Sequence, residues 1–130
     1  ASDVYKRQGI EDTGGRFMHQ DNVILCVSSK YEEKYYLNED FENLPDGIQR
    51  ELQIMCVTFT EEIGGILTLE YDSKGNLNFI TAANEGDLLY DDIGSALKIK
   101  QIRERRRELL EALETYYKVF FLGEKIDIEE

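Results

Sequence analysis

The chain has 130 residues, 42% of them hydrophobic and 32% charged, with 27 acidic against 15 basic side chains and a formal net charge of −12. Such a length supports one domain around one core; the charge opposes nucleic acid and anionic membranes, and no apolar run approaches the roughly 18 residues of a membrane span. One histidine, His19, and two cysteines, Cys26 and Cys56, are too few for a Cys/His zinc site and leave no histidine in the body of the chain for a Ser-His-Asp or Cys-His site.

Asp3-Val4-Tyr5-Lys6-Arg7-Gln8 back-translates to GAT GTG TAT AAG AGA CAG, which resembles the transposon mosaic end used in sequencing libraries. Gly14 to Met18 can be encoded with GGAGG a short distance before ATG, the arrangement of a ribosome-binding site and a start codon. Residues 1–17 are therefore expected to be a non-native leader and Met18 the native start. The alternative is a genuine polar tail. Residues 18–130 are expected to form a single α+β domain.

Val23 to Val27 is a short, continuous apolar run rich in β-branched residues and predicts a strand buried on both faces. Lys34 to Leu37 predicts its hairpin partner, and Asn38 to Asn43 a polar, acidic loop. Pro45 suits the first turn of a helix. Ile48, Leu52, Met55, Cys56, Phe59 and Ile63 then follow at helical spacing as one stripe. Gly64-Gly65 ends that helix, because glycine accepts the left-handed conformation of a C-cap. Cys26 and Cys56 each sit inside an apolar pattern and read as two buried, reduced thiols in a cytoplasmic protein.

Ile66 to Tyr71 and Leu77 to Ala83 alternate around Asp72-Ser73-Lys74-Gly75-Asn76, predicting a hairpin with Gly75 at the positive-φ position. That turn lacks the alternating carboxylates of a calcium loop. From Asp91 or Ser95 to Leu122 the pattern predicts one long helix, with Ile99, Ile102, Leu109, Leu113, Tyr116, Tyr117 and Phe120 on one stripe. At about 1.5 Å per residue it would extend roughly 42 Å, against a domain diameter of roughly 35 Å. It should overhang, bend, or be covered by a second subunit. The expected order is β-β-α-β-β-α: about four antiparallel strands packed with two helices, the C-terminal one long.

Lys98 to Arg107 carries six positive charges and one negative in an otherwise acidic chain. Lys98, Lys100, Arg103 and Arg106 are the candidate anion- or partner-binding residues. The competing reading is a solvated helix face paired with its neighbours. Arg106 stands out because it falls inside the apolar stripe, between Ile102 and Leu109, where a charge must pair or extend along the surface. Among the acidic pairs, Asp91-Asp92 suits a helix N-terminus, whereas Glu61-Glu62 lies at the unfavourable end of its helix. A metal-dependent enzyme using these four carboxylates is a minor reading beside surface charge, as it is for Glu32-Glu33 and for Glu85 with Asp87. No catalytic, cofactor or metal site is expected. Tyr116, Tyr117, Phe120 and Phe121 make the last helix apolar around most of its circumference and are the candidate interface.

The segments Glu51 to Cys56, Glu61 to Leu69, Ile93 to Gln101, Arg107 to Leu113 and Phe120 to Gly123 resemble a family of small uncharacterised proteins from anaerobic Gram-positive bacteria, domain of unknown function 6145. The resemblance implies a bacterial, cytoplasmic protein and assigns no activity. The residues themselves point to a non-enzymatic interaction or adaptor protein, homodimeric through its C-terminal helix or bound to another protein, with no membrane or nucleic-acid partner. The alternative is a small anionic-ligand or nucleotide-related binding protein using the basic turn.

Overall fold

The computed structural model describes residues 22–124; the expected leader, the Met18 start and His19 lie outside the described residues. The elements run β1 (Val23–Ser29), β2 (Lys34–Leu37), α1 (Asp46–Ile63), β3 (Ile66–Tyr71), β4 (Leu77–Ala82), α2 (Asp92–Arg105) and α3 (Arg107–Phe120). The strands form one antiparallel sheet in the order β2-β1-β3-β4. The class is α+β, as expected, but there are three helices rather than two, and the order is β-β-α-β-β-α-α.

The apolar run of β1 takes a central place in the sheet, where Leu25 to Ser29 are all buried. The strand extends two residues past the predicted Val27. Ser28 and Ser29 continue the ladder opposite Tyr35 and Lys34, and the buried Ser28 hydroxyl meets Thr60 of α1 at 2.9 Å. A buried hydroxyl pair of this kind leaves no trace in an apolar pattern. β3 joins Leu67, Leu69 and Tyr71 to the same core, which also holds Cys26 and the α1 stripe of Leu52, Met55, Cys56, Phe59 and Ile63.

α1 begins one residue later than predicted. Pro45 is the N-cap, at φ −55 and ψ 144, and lies outside the first turn. The helix stops at Gly64, φ +94, whose N–H still bonds the Thr60 carbonyl at 2.9 Å. Between α1 and β2, the segment read as a polar loop contains a 3-10 turn, Glu39–Phe41, and Phe41 is fully buried. One aromatic in a run of acids is a weak sequence signal, yet here it anchors the loop.

The long helix bends, at Arg106, whose φ of −112 and ψ of 32 leave the helical region. The i→i−4 bonds continue on either side, Arg106 N–H to Ile102 O at 2.8 Å and Leu110 N–H to Arg106 O at 3.0 Å. The two halves bury different surfaces. α2 buries Ser95 and Ile102 and half-buries Ile99, while α3 buries Leu109, Leu110, Leu113 and Tyr117. Of the three expected outcomes, an overhang, a bend or a covering subunit, the backbone at Arg106 shows the bend.

Candidate functional site: the outer face of α2 and the groove beside it

α2 runs antiparallel to α1, tied by Lys98 to Glu62 at 2.8 Å and by Arg106 to Glu51 at 3.5 Å. Its N-terminus is fixed by Asp91, whose carboxylate accepts from the Gly94 N–H at 2.8 Å. Asp91-Asp92 therefore has the predicted helix-capping place. Glu61-Glu62 is accounted for by ion pairs, Glu62 to Lys98 and Glu61 to Lys30 at 3.3 Å. Among the described residues no three potential ligands converge on a metal position, and no helix is long and apolar enough to cross a membrane.

The four basic candidates point in different directions. Arg103 lies over the Phe79 ring, 4.8 Å from its centroid, and donates to the Leu77 carbonyl at 3.2 Å. Lys100 is exposed on the outer face. Only Lys98 and Arg106 come together, lining an open groove of about 210 Å³ between α1 and α2 with Ile54, Met55 and Ile102. Next to it, at the helix bend, a cleft of about 570 Å³ is lined by Arg105, Arg106 and Arg107 but also by Glu51, Glu104 and Glu108. Its charges balance. Arg106 carries one irregularity there: its Nε is buried without a hydrogen bond.

The aromatic candidates divide as well. Tyr117 is 4% exposed and stacks on Tyr71 with ring centroids 4.1 Å apart. Phe121 stacks on Phe41 at 4.8 Å, and Tyr116 is half-buried beside the same core. Phe120 faces outward at 70% exposure. Three of the four therefore belong wholly or partly to the domain's own aromatic cluster.

An exposed apolar surface that was not among the candidates lies at the start of α2. Leu88 and Leu89 precede α2 at 94% and 91% exposure, and Ile93 and Leu97 follow on its outer face at 76% and 63%. The available signal was the i, i+4 spacing of Ile93 and Leu97, off the core stripe and just after the Leu88-Leu89 pair. The loop that presents the leucines is well held. Tyr31 donates its hydroxyl to Asp87 and accepts from the Asn84 N–H at 2.9 Å. Asp87 in turn accepts from the Leu89 N–H at 2.9 Å, and the Asp91 N–H reaches the Ile63 carbonyl at 3.3 Å. The Tyr31 hydrogen bond, followed by that of Leu89, holds the Asp87 carboxyl below the usual carboxylate range.

The buried thiols are chemically quiet. Cys26 and Cys56 are free and lie 3.8 Å apart, sulfur to sulfur. The hydrogen bond with Cys26, then burial, pushes the Cys56 thiol well above its usual range, so no Cys56 thiolate forms near neutrality.

The profile of DUF6145, a family of unknown function, matches residues 22–125. The chain belongs to this family. The match spans both sides of the α1–α2 groove and the leucine loop. Comparison with curated proteins and with solved structures finds no match.

Proposed function

We infer that this DUF6145 domain is a non-catalytic interaction module of the cytoplasm, which works by docking the outer face of α2 onto another protein surface. One observation carries the reading: Leu88, Leu89, Ile93 and Leu97 are between 63% and 94% exposed within ten consecutive positions. Contiguous exposed aliphatics of this kind mark interaction sites, and the hydrogen-bonded loop orders them before any partner arrives, which lowers the cost of binding. Phe120 extends the apolar surface available on the C-terminal helix. The cytoplasmic placement rests on two free, buried thiols.

The test is a photocrosslinking side chain placed at Leu97 in the cells the protein comes from. A protein adduct of discrete mass that disappears with Leu88→Ser/Leu89→Ser supports the reading. Absence of any protein adduct overturns it.

A second reading, an anion-binding protein, has in its favour the unpartnered Arg106 Nε at the bend cleft. Titration with inorganic phosphate, following the backbone amide resonances around the bend, tests it. Saturable binding lost in Arg106→Ala, with assembly unchanged, would support it; no shift would remove it.

A further inference from the structure

Around α2, Ile93, Leu97, Lys100 and Glu104 fall within roughly 60° of one another at 3.6 residues per turn. Moving toward α1 from this strip, Gln101 leads into the groove lined by Ile54, Met55, Lys98, Ile102, Arg105 and Arg106. The surface has two unlike ends. From residue 84 to residue 97 the charged side chains are Glu85, Asp87, Asp91 and Asp92, all acidic, and this end projects Leu88 and Leu89. From Lys98 to Arg107 the charge is six positive to one negative, and this end is concave and apolar at its floor. The leucines precede the helix and Arg105 ends it, so Leu97 lies between the two ends.

A surface with a projecting acidic end and a concave basic end can satisfy itself through a two-fold axis between them. We propose that the occupant of this face is a second copy of the chain, packed so that α2 crosses its counterpart antiparallel at Leu97, with Leu88 and Leu89 of each copy seated in the other's α1–α2 groove. This rests on the interaction reading above and names its partner.

Charge favours self-pairing over an unrelated acidic surface, because each acidic leucine loop then meets the basic half of the other copy's α2, where Arg105 makes no ion pair among the described residues while Lys98 and Arg106 are held by Glu62 and Glu51. Antiparallel alignment also sets the helix N-terminus with Asp91 and Asp92 beside the basic C-terminal half of the other α2, so the two helix dipoles oppose favourably. Area sets the strength of the contact. α2, 14 residues long, extends about 21 Å, and a stable interface takes roughly 800 Å² from each side. The helix strip alone falls short of that, and the loop and groove are needed to complete it. The expected dimer is therefore modest in affinity, and sensitive to either component.

The experiment is sedimentation equilibrium of the whole chain up to about 100 μM, with Leu97→Glu and Leu88→Ser/Leu89→Ser. Leu97→Glu sets two like charges against each other on the axis. The expected result is a doubled mass for the parent and at least about a 100-fold weaker dimer for both variants, with unfolding midpoints unchanged at concentrations low enough that all three are monomeric. A symmetric crosslink adds a geometric check: Leu97→Cys, oxidised with diamide, joins to itself, whereas Phe120→Cys does not. The native Cys26 and Cys56 are buried and do not compete.

A monomer throughout overturns the proposal, even where a basic leucine-rich amphipathic peptide binds the face; a crosslinked protein of another mass in cells would then leave the interaction reading standing. A dimer unaffected by Leu97→Glu, or joined through Phe120→Cys and not Leu97→Cys, also overturns it. Loss of both the dimer and the cellular crosslink removes both readings.

Discussion

Tyr71 and Tyr117 stack almost parallel, 6° between planes, and the Tyr71 hydroxyl donates to the Leu113 carbonyl one turn before Tyr117 at 2.8 Å. Strand β3 and helix α3 are thereby locked in both height and rotation. Tyr117→Ala is expected to cost about 3–5 kcal/mol in urea unfolding, as for other buried aromatics. Phe120→Ala, three residues on and 70% exposed, should stay within about 0.5 kcal/mol of the parent. Equal losses at the two positions would mean that Phe120 is also covered.

Tyr35 gives an expected gain. Its hydroxyl is buried without a hydrogen bond of normal geometry, and burial, then the neighbouring Cys26 and Cys56, pushes its ionisation above the usual phenol range. Tyr35→Phe should stabilise the domain by about 1 kcal/mol near neutrality. The sign with pH follows from the raised value. The contribution is intact below the unfolded phenol value of about 10 and is lost as pH rises beyond it. The parent should lose stability more steeply than Tyr35→Phe above that pH, which thermal melts across the alkaline range would measure.

The Tyr31–Asp87 hydrogen bond makes the opposite statement at acid pH. Asp87 titrates below its usual range because Tyr31 donates to the ionised form. Its contribution is present above the ordinary carboxyl value of about 3.9 and is lost as pH falls through the depressed folded value. In Tyr31→Phe, the Asp87 carboxyl resonance should titrate at a higher pH than in the parent. Amide exchange at Leu88 and Leu89 should quicken in the same variant, because their loop has lost its tie to the first hairpin.

Gly65 turns the chain from α1 into β3 at φ +72, and an added Cβ would lie 2.6 Å from the Ala82 carbonyl oxygen and 2.8 Å from the Tyr90 ring. Backbone on one side leaves little room to yield. Gly65→Ala should cost at least about 2 kcal/mol, combining left-handed strain with the clash. Differential scanning calorimetry would show the loss, and an unchanged melting temperature would mean that Gly65 does not turn against Ala82 and Tyr90 in this way.

Much of this fold could be read directly. The β3–β4 alternation around Gly75, the α1 stripe from Leu52 to Ile63, and the Gly64-Gly65 stop all depend on neighbours a few positions away, so local pattern suffices. Ser28 and Phe41 escaped that logic. Each is buried by a contact with a residue far along the chain, Thr60 for the serine and Tyr71 for the phenylalanine. The candidate site was legible only as ingredients. The basic run was visible, but not that Arg103 turns onto Phe79 while Lys98 and Arg106 reach α1.

Composition and periodicity by themselves determined the α+β class, the hairpins, the helix faces and the shortage of histidine and cysteine for common site chemistries, because these follow from residue identity and spacing of two or 3.6. Only the tertiary structure decided where the last helix bends and which apolar residues remain outside. Ile93 and Ile102 are the same residue type on the same helix, 76% and 6% exposed. Their places off and on the Ile99–Ile102 stripe follow from helical spacing, but how far Ile93 stands clear of the domain is set by the packing of α2 against α1 and the sheet, a relation between distant segments.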